Sequence, residues 1–68
     1  MIFFHDYTAI DTANYKKFFV AGNKIVFEAF NDRQVFNFDD EEMAKFIFEH
    51  MKVAIKRGDE IFDTEVPF

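Results

Sequence analysis

The sequence predicts a small α+β domain: an antiparallel meander of three or four strands, then one long amphipathic helix, then a short C-terminal tail or strand. Three observations carry the prediction. Short aromatic and β-branched runs alternate with turn residues from Ile2 to Phe38. One segment with helical periodicity, a start signal and a stop signal follows from about residue 40 to Arg57. The chain has 68 residues, of which 50% are hydrophobic. That is one domain, too apolar to be disordered.

The elements follow in order. "IFFHDYTAI" (2–10) reads as a first strand and "DTAN" (11–14) as a turn. "YKKFFV" (15–20) reads as a second strand, and Gly22-Asn23 within "AGNK" suits a primed hairpin turn. "IVFEAF" (25–30) is a third strand, "NDRQ" (31–34) a turn and "VFNF" (35–38) a fourth strand. Connections this short join antiparallel neighbours.

The run Asp39-Asp40-Glu41-Glu42 opens the helix. Asp39 followed three residues later by Glu42 has the spacing of a capping box, with Asp39 as the cap. Asp40 and Glu41 then occupy the first turn, where the helix dipole favours negative charge. Lys56 and Arg57 suit the C-terminal end, and Gly58 is the expected stop. The acidic tail, 59–68, has two readings: a short strand docked on a sheet edge, or an acidic-aromatic peptide that enters a partner's groove.

At ~100° per residue, the apolar positions from Met43 to Ile55 cover more than half of the helix circumference. A helix lying on one sheet needs a stripe little wider than ~100°. The strands also carry large apolar groups on both faces. A second protein surface is implied, and a second copy of the chain fits best. The candidate dimer-interface residues are Phe48, Met51 and Ile55 on the helix, with Phe19 and Phe30 on the sheet.

Composition excludes several function classes. The chain contains no cysteine, which removes disulfides and thiolate zinc sites and fits a reducing compartment. No apolar run approaches the ~20 residues of a membrane span, and the N-terminus lacks the features of a signal peptide. A cytoplasmic location is expected, host cytoplasm if the chain is phage-encoded. Thirteen acidic residues face eight basic ones, a formal charge of -5, which argues against direct nucleic-acid binding. Serine is absent and glycine occurs only at 22 and 58, so no phosphate-cradling loop exists. His5, Asp6 and His50 show no spacing that brings them to one metal, and consecutive helical carboxylates diverge. No catalytic, metal or cofactor site is expected, and the chain reads as a non-enzyme.

The carboxylates point to a partner instead. Asp32, Asp40 and Glu41 at one end, and Asp59, Glu60, Asp63 and Glu65 at the other, are the candidates for contacting a basic protein. Solubilising charge is the plainer reading of any one of them. Size, acidity, "DDEE" and "GDEIFDTEVPF" together resemble small acidic phage-encoded inhibitors of host proteins, some of which mimic DNA. The resemblance implies binding and inhibition of a basic host protein such as a DNA-binding one. The alternatives are an assembly module that works through exposed apolar faces, and a small enzyme with its site at a dimer interface.

Overall fold

The computed structural model describes residues 1–66 and has the α+β architecture the sequence predicts. The predicted first strand is two strands. β1 (Ile2–His5) and β2 (Thr8–Asp11) form a tight hairpin, with His5 opposite Thr8. The two-residue loop between them is Asp6-Tyr7, and Asp6 takes a left-handed φ of 53°. Aspartate tolerates that region better than most residues, so the chain turns without a glycine. A 3₁₀ turn, Thr12–Asn14, follows, and the Asp11 carboxylate caps it by accepting from the Ala13 N–H at 3.0 Å.

β3 (Lys17–Ala21), β4 (Lys24–Glu28) and β5 (Arg33–Asn37) form a three-stranded antiparallel meander. Gly22, at φ 61°, opens the two-residue β3–β4 loop, as the primed hairpin turns require. Predicted strand 25–30 therefore ends at Glu28, and predicted strand 35–38 starts earlier, at Arg33.

The helix α1 spans Glu41–Arg57. Its cap is Asp40, not Asp39. Asp40 has an extended φ of -152°, and its carboxylate accepts from the Met43 N–H at 2.8 Å. The reason is tertiary. Phe38 is bonded at both backbone groups to Asn23, whose carbonyl receives the Phe38 N–H and whose side-chain amide donates to the Phe38 carbonyl, each at 2.9 Å. That clasp holds the chain at the sheet edge and leaves Asp39 as a connector. The N3 position is then Met43, so Glu42 closes no capping box and sits in the first turn beside Glu41. At the other end Gly58 is left-handed, at φ 83°. Its N–H reaches the Ile55 carbonyl, and the Asp59 N–H reaches the Ala54 carbonyl, a Schellman ending.

β6 (Ile61–Asp63) runs parallel to β1, with Phe62 opposite Phe3. The tail thus docks on its own domain and completes a sheet of order β2-β1-β6 beside the β3-β4-β5 sheet. Pro67 and Phe68 of the predicted tail lie outside the described residues.

The two sheets and the helix share one core. Phe3 is fully buried and meets the rings of Phe27, Phe36 and Phe62 at centroid distances of 5.1, 5.1 and 5.9 Å. The helix adds Ala44, Ile47, Met51 and Ala54. Met51 has no exposed surface, so it fills the core and contributes nothing to a dimer interface. Phe48 is half-buried beside Phe18, with the Lys52 ammonium over its ring. Ile55 and Phe30 are exposed, Phe30 to 90%.

The two-sided apolar character of the second sheet has a local explanation. On its outer face Phe19, Val26 and Val35 form one cross-strand row, flanked by the charged row Lys17–Glu28–Arg33 and the row Ala21–Lys24–Asn37. Glu28 lies 3.8 Å from Lys17 and 3.6 Å from Arg33. Lys17 also sits over the half-buried Phe19 ring, and Val26 between its neighbours is only 1% exposed. Long charged side chains cover a narrow apolar row well. Among the described residues no helix is long and apolar enough to cross a membrane.

Candidate functional site at the helix start

Three segments far apart in sequence meet in an open cleft of about 480 Å³ at the N-terminal end of α1. The β1–β2 turn supplies His5 and Asp6. The end of β5 and the helix entry supply Asn37, Phe38, Asp39, Met43 and Ile47. The segment after β6 supplies Thr64 and Glu65. Each arrives by a local cause. The β1–β2 hairpin presents Asp6, and the Asn23–Phe38 clasp with the Asp40 cap sets the helix entry. The Thr64 N–H bonds to the Phe4 carbonyl at 3.1 Å, extending the β1–β6 ladder. The Asp63 carboxylate turns the chain by accepting from the Glu65 N–H at 2.9 Å, and Glu65 Oε1 accepts from the Asp6 N–H at 2.9 Å.

His5 ties the three segments together. Its Nε2 lies 2.9 Å from the Asn37 carbonyl oxygen. That oxygen only accepts, so Nε2 carries a proton, and Nδ1 lies 2.7 Å from the Thr64 hydroxyl. The ring packs on Phe38 with centroids 4.4 Å apart. The Asp6 carboxylate is 3.6 Å from Nε2.

One nitrogen or oxygen each from His5, Asp6 and Glu65 lies within 4.8 Å of the others, a grouping the sequence did not predict. It does not fit a metal held by the imidazole. A metal needs a deprotonated nitrogen, and here one is a proton donor to a carbonyl while the other is held by a hydroxyl. The Thr64–His5 contact has the outline of a nucleophile and base. The carboxylates around it, Asp6, Asp39 and Glu65, oppose the negative charge that acyl transfer develops. The arrangement is a polar clasp under an acidic rim.

Charge compensation separates this rim from the other acidic residues. Among the described residues no lysine or arginine lies within ion-pair distance of Asp6, Asp39 or Glu65. Elsewhere Glu41 pairs with Lys45 at 2.9 Å, Glu49 with Lys52 at 3.0 Å and Glu28 with Lys17 and Arg33. The bond to Glu41 raises the Lys45 pKa. Asp59 is bound by the Arg57 guanidinium, which holds its carboxyl below the ordinary value.

The structure regroups the predicted partner-binding residues. Asp40, Glu41 and Glu65 come to the same end of the molecule, beside Asp39 and Glu42. Asp32 sits on the β4–β5 loop, where it accepts from the Tyr15 hydroxyl at 2.7 Å. Asp59 is engaged by Arg57, Asp63 turns the tail, and Glu60 is exposed just before β6. His5, Asp6, Asn37 and Thr64 were missed as a group. The available signal was "HDYT" inside a predicted strand of nine residues, longer than a usual strand of about five or six. Comparison of the chain with protein-family models, with curated proteins and with solved structures finds no match.

Proposed function

We propose that this chain is a non-enzymatic interaction protein that uses the acidic end of its helix to bind and inhibit a basic protein, in particular a DNA-binding protein whose phosphate-contacting surface the carboxylates occupy. One observation carries the reading: Asp6, Asp39, Asp40, Glu41, Glu42 and Glu65, drawn from three segments, are all exposed at one end of the fold. Like charges gathered this way repel one another, and a cationic surface relieves that repulsion while gaining faster association.

The test is capture by the immobilised chain from an extract of its native cells, with salt and duplex DNA as separate eluants. The informative variant is Asp39→Asn/Glu41→Gln/Glu42→Gln, which leaves the Asp40 cap in place. Basic DNA-binding proteins released by modest salt and by DNA, and not retained by the variant, are the expected result. Capture indifferent to salt, DNA and the variant sinks the reading.

A second reading, self-association into a homodimer or larger assembly, has its own observation. Met43, Phe46 and Val53 are exposed along one edge of the helix at spacings of three and seven, the pattern of a helix–helix seam. Sedimentation equilibrium at micromolar concentration decides it. A dimer dissociated by Val53→Glu supports the seam, and a monomer removes it.

A further inference from the structure

We propose that two copies of this chain pair through the exposed edge of α1 as a closed antiparallel dimer, with Glu42 of each copy set against Lys56 of the other. The inference rests on the self-association reading above and fixes its direction, its polar contact and its end point.

The edge has a stricter pattern than its three exposed apolar residues alone display. Met43, Phe46, His50 and Val53 follow one another at steps of three, four and three, the alternation of a helix–helix seam. Met43, Phe46 and Val53 are 43%, 53% and 53% exposed, and the His50 ring lies 4.4 Å from the Phe46 ring between centroids. On the core side of the seam Ile47 and Ala54 are buried. A partner helix therefore meets a single charged flank, the row Glu42, Glu49 and Lys56 at steps of seven. Charges flanking a seam set partner choice and orientation.

The charges in this row select the direction. Glu49 is answered by Lys52 of its own chain at 3.0 Å. Among the described residues neither Glu42 nor Lys56 has an opposite charge within ion-pair distance. Glu42 adds to the field at Lys45, but the Lys45 bond goes to Glu41. Parallel helices would set Glu42 beside Glu42 and Lys56 beside Lys56. Antiparallel helices set each Glu42 beside the partner's Lys56, so the contact forms twice about a two-fold axis. The acidic first turn then faces the basic last turn of the other copy, and Glu49 meets its counterpart near the axis with its charge already answered. Such a contact uses the same edge on both copies, so growth stops at two. One edge of a 17-residue helix is a small area, which makes the dimer a weak, concentration-dependent one.

The experiment uses the absence of cysteine from the chain, since a single introduced thiol has one possible disulfide partner. Glu42→Cys and Lys56→Cys are each oxidised alone and as an equal mixture, and the products are identified by peptide mapping. In the antiparallel dimer residue 42 lies beside 56 of the other copy and about 21 Å from its own counterpart, whereas a disulfide needs Cα atoms within about 7 Å. The mixture should form the 42–56 cross-link at least about tenfold faster than either variant forms its own. Charge reversal reads the same contact without a thiol. Glu42→Lys alone and Lys56→Glu alone should each weaken the dimer several-fold in sedimentation equilibrium at low salt, and the double reversal should restore it. Circular dichroism checks the fold of each variant, and the charge-reversal series decides if a cysteine variant unfolds. Cross-links of 42 to 42 and 56 to 56 would show parallel helices and overturn the proposal while self-association stands. So would a dimer that forms none of these cross-links and ignores the charge reversals, because its interface lies elsewhere. A monomer at micromolar concentration overturns both the arrangement and the self-association reading.

Discussion

The two ends of the helix are both acidic, yet their carboxylates have different work. At the C-terminal end Gly58 closes a Schellman turn and Asp59 is gripped by Arg57. Its charge is answered within two residues. At the N-terminal end only Asp40 serves the helix directly by bonding, and Glu41 is answered by Lys45. Asp6, Asp39 and Glu65 gather there without a lysine or arginine from their own chain among the described residues. Acidity explained by local folding carries no message about a partner. Acidity beyond that need is where a partner is to be sought.

The largest effect should come from the part both ends share. Phe3→Ala removes the ring at the centre of the aromatic cluster and should cost about 3–5 kcal/mol, measured by chemical denaturation followed by circular dichroism. Hydrogen-exchange protection should then fall at both ends together. Loss confined to the cleft end would break the comparison, since it would make that end a separately stable unit.

The end-specific folding devices come next. Gly58→Ala meets no steric neighbour, so its cost is the left-handed backbone alone, about 1–2 kcal/mol. Asp40→Ala should cost about 0.5–2 kcal/mol. Its neighbour gives the sharper contrast: Asp39→Ala should stay within about 0.5 kcal/mol. Equal losses at 39 and 40 would mean that both aspartates hold the helix and that Asp39 is no part of a surplus.

How much of this was legible in the sequence follows from how local each cause is. The helix and its Gly58 stop, the Gly22-Asn23 hairpin and the meander around it are written in neighbouring residues, and periodicity reads them. The choice of Asp40 over Asp39 is not, because it depends on Asn23 clasping Phe38 from 15 positions away. The Asp6-Tyr7 turn carries no glycine or proline, so "IFFHDYTAI" reads as one strand. The parallel pairing of β6 with β1 joins the two chain ends, and only that pairing carries Thr64 to His5 and Glu65 to Asp6, 59 positions apart in each case. The cleft was therefore invisible, although every residue in it is polar or apolar in the ordinary way for its element. Met51 was placed among the interface candidates for a related reason. A wide apolar arc counts Met51 with its exposed neighbours, whereas the first sheet, unseen as a separate layer, helps to enclose the core that Met51 fills.

The smallest expected effects separate the two ends most directly. Arg57 holds the Asp59 carboxyl below its ordinary pKa, chiefly by hydrogen bonding, with burial opposing the shift and the guanidinium charge adding to it. A carboxylate with a depressed folded pKa stabilises the fold above its unfolded pKa, and that contribution is lost as pH falls through the folded value. Asp59→Asn should therefore lower stability slightly at neutral pH, and the difference from the parent should vanish below the ordinary carboxylate range. Exposed pairs contribute little, so the shift will be small. At the other end Asp6→Asn/Glu65→Gln removes two like charges that face each other while keeping the hydrogen bond between them. Stability at low salt should stay within about 0.5 kcal/mol of the parent, on the side of gain. The gain should fade as salt shortens the Debye length from about 30 Å at 0.01 M to about 10 Å at 0.1 M. Thermal melts at three salt concentrations and across pH 2–7 measure both variants together. A clear loss from the cleft variant at every salt concentration would show that Asp6 and Glu65 hold the fold as Asp59 does, and the cleft would lose its claim to be a surface built for someone else's charge.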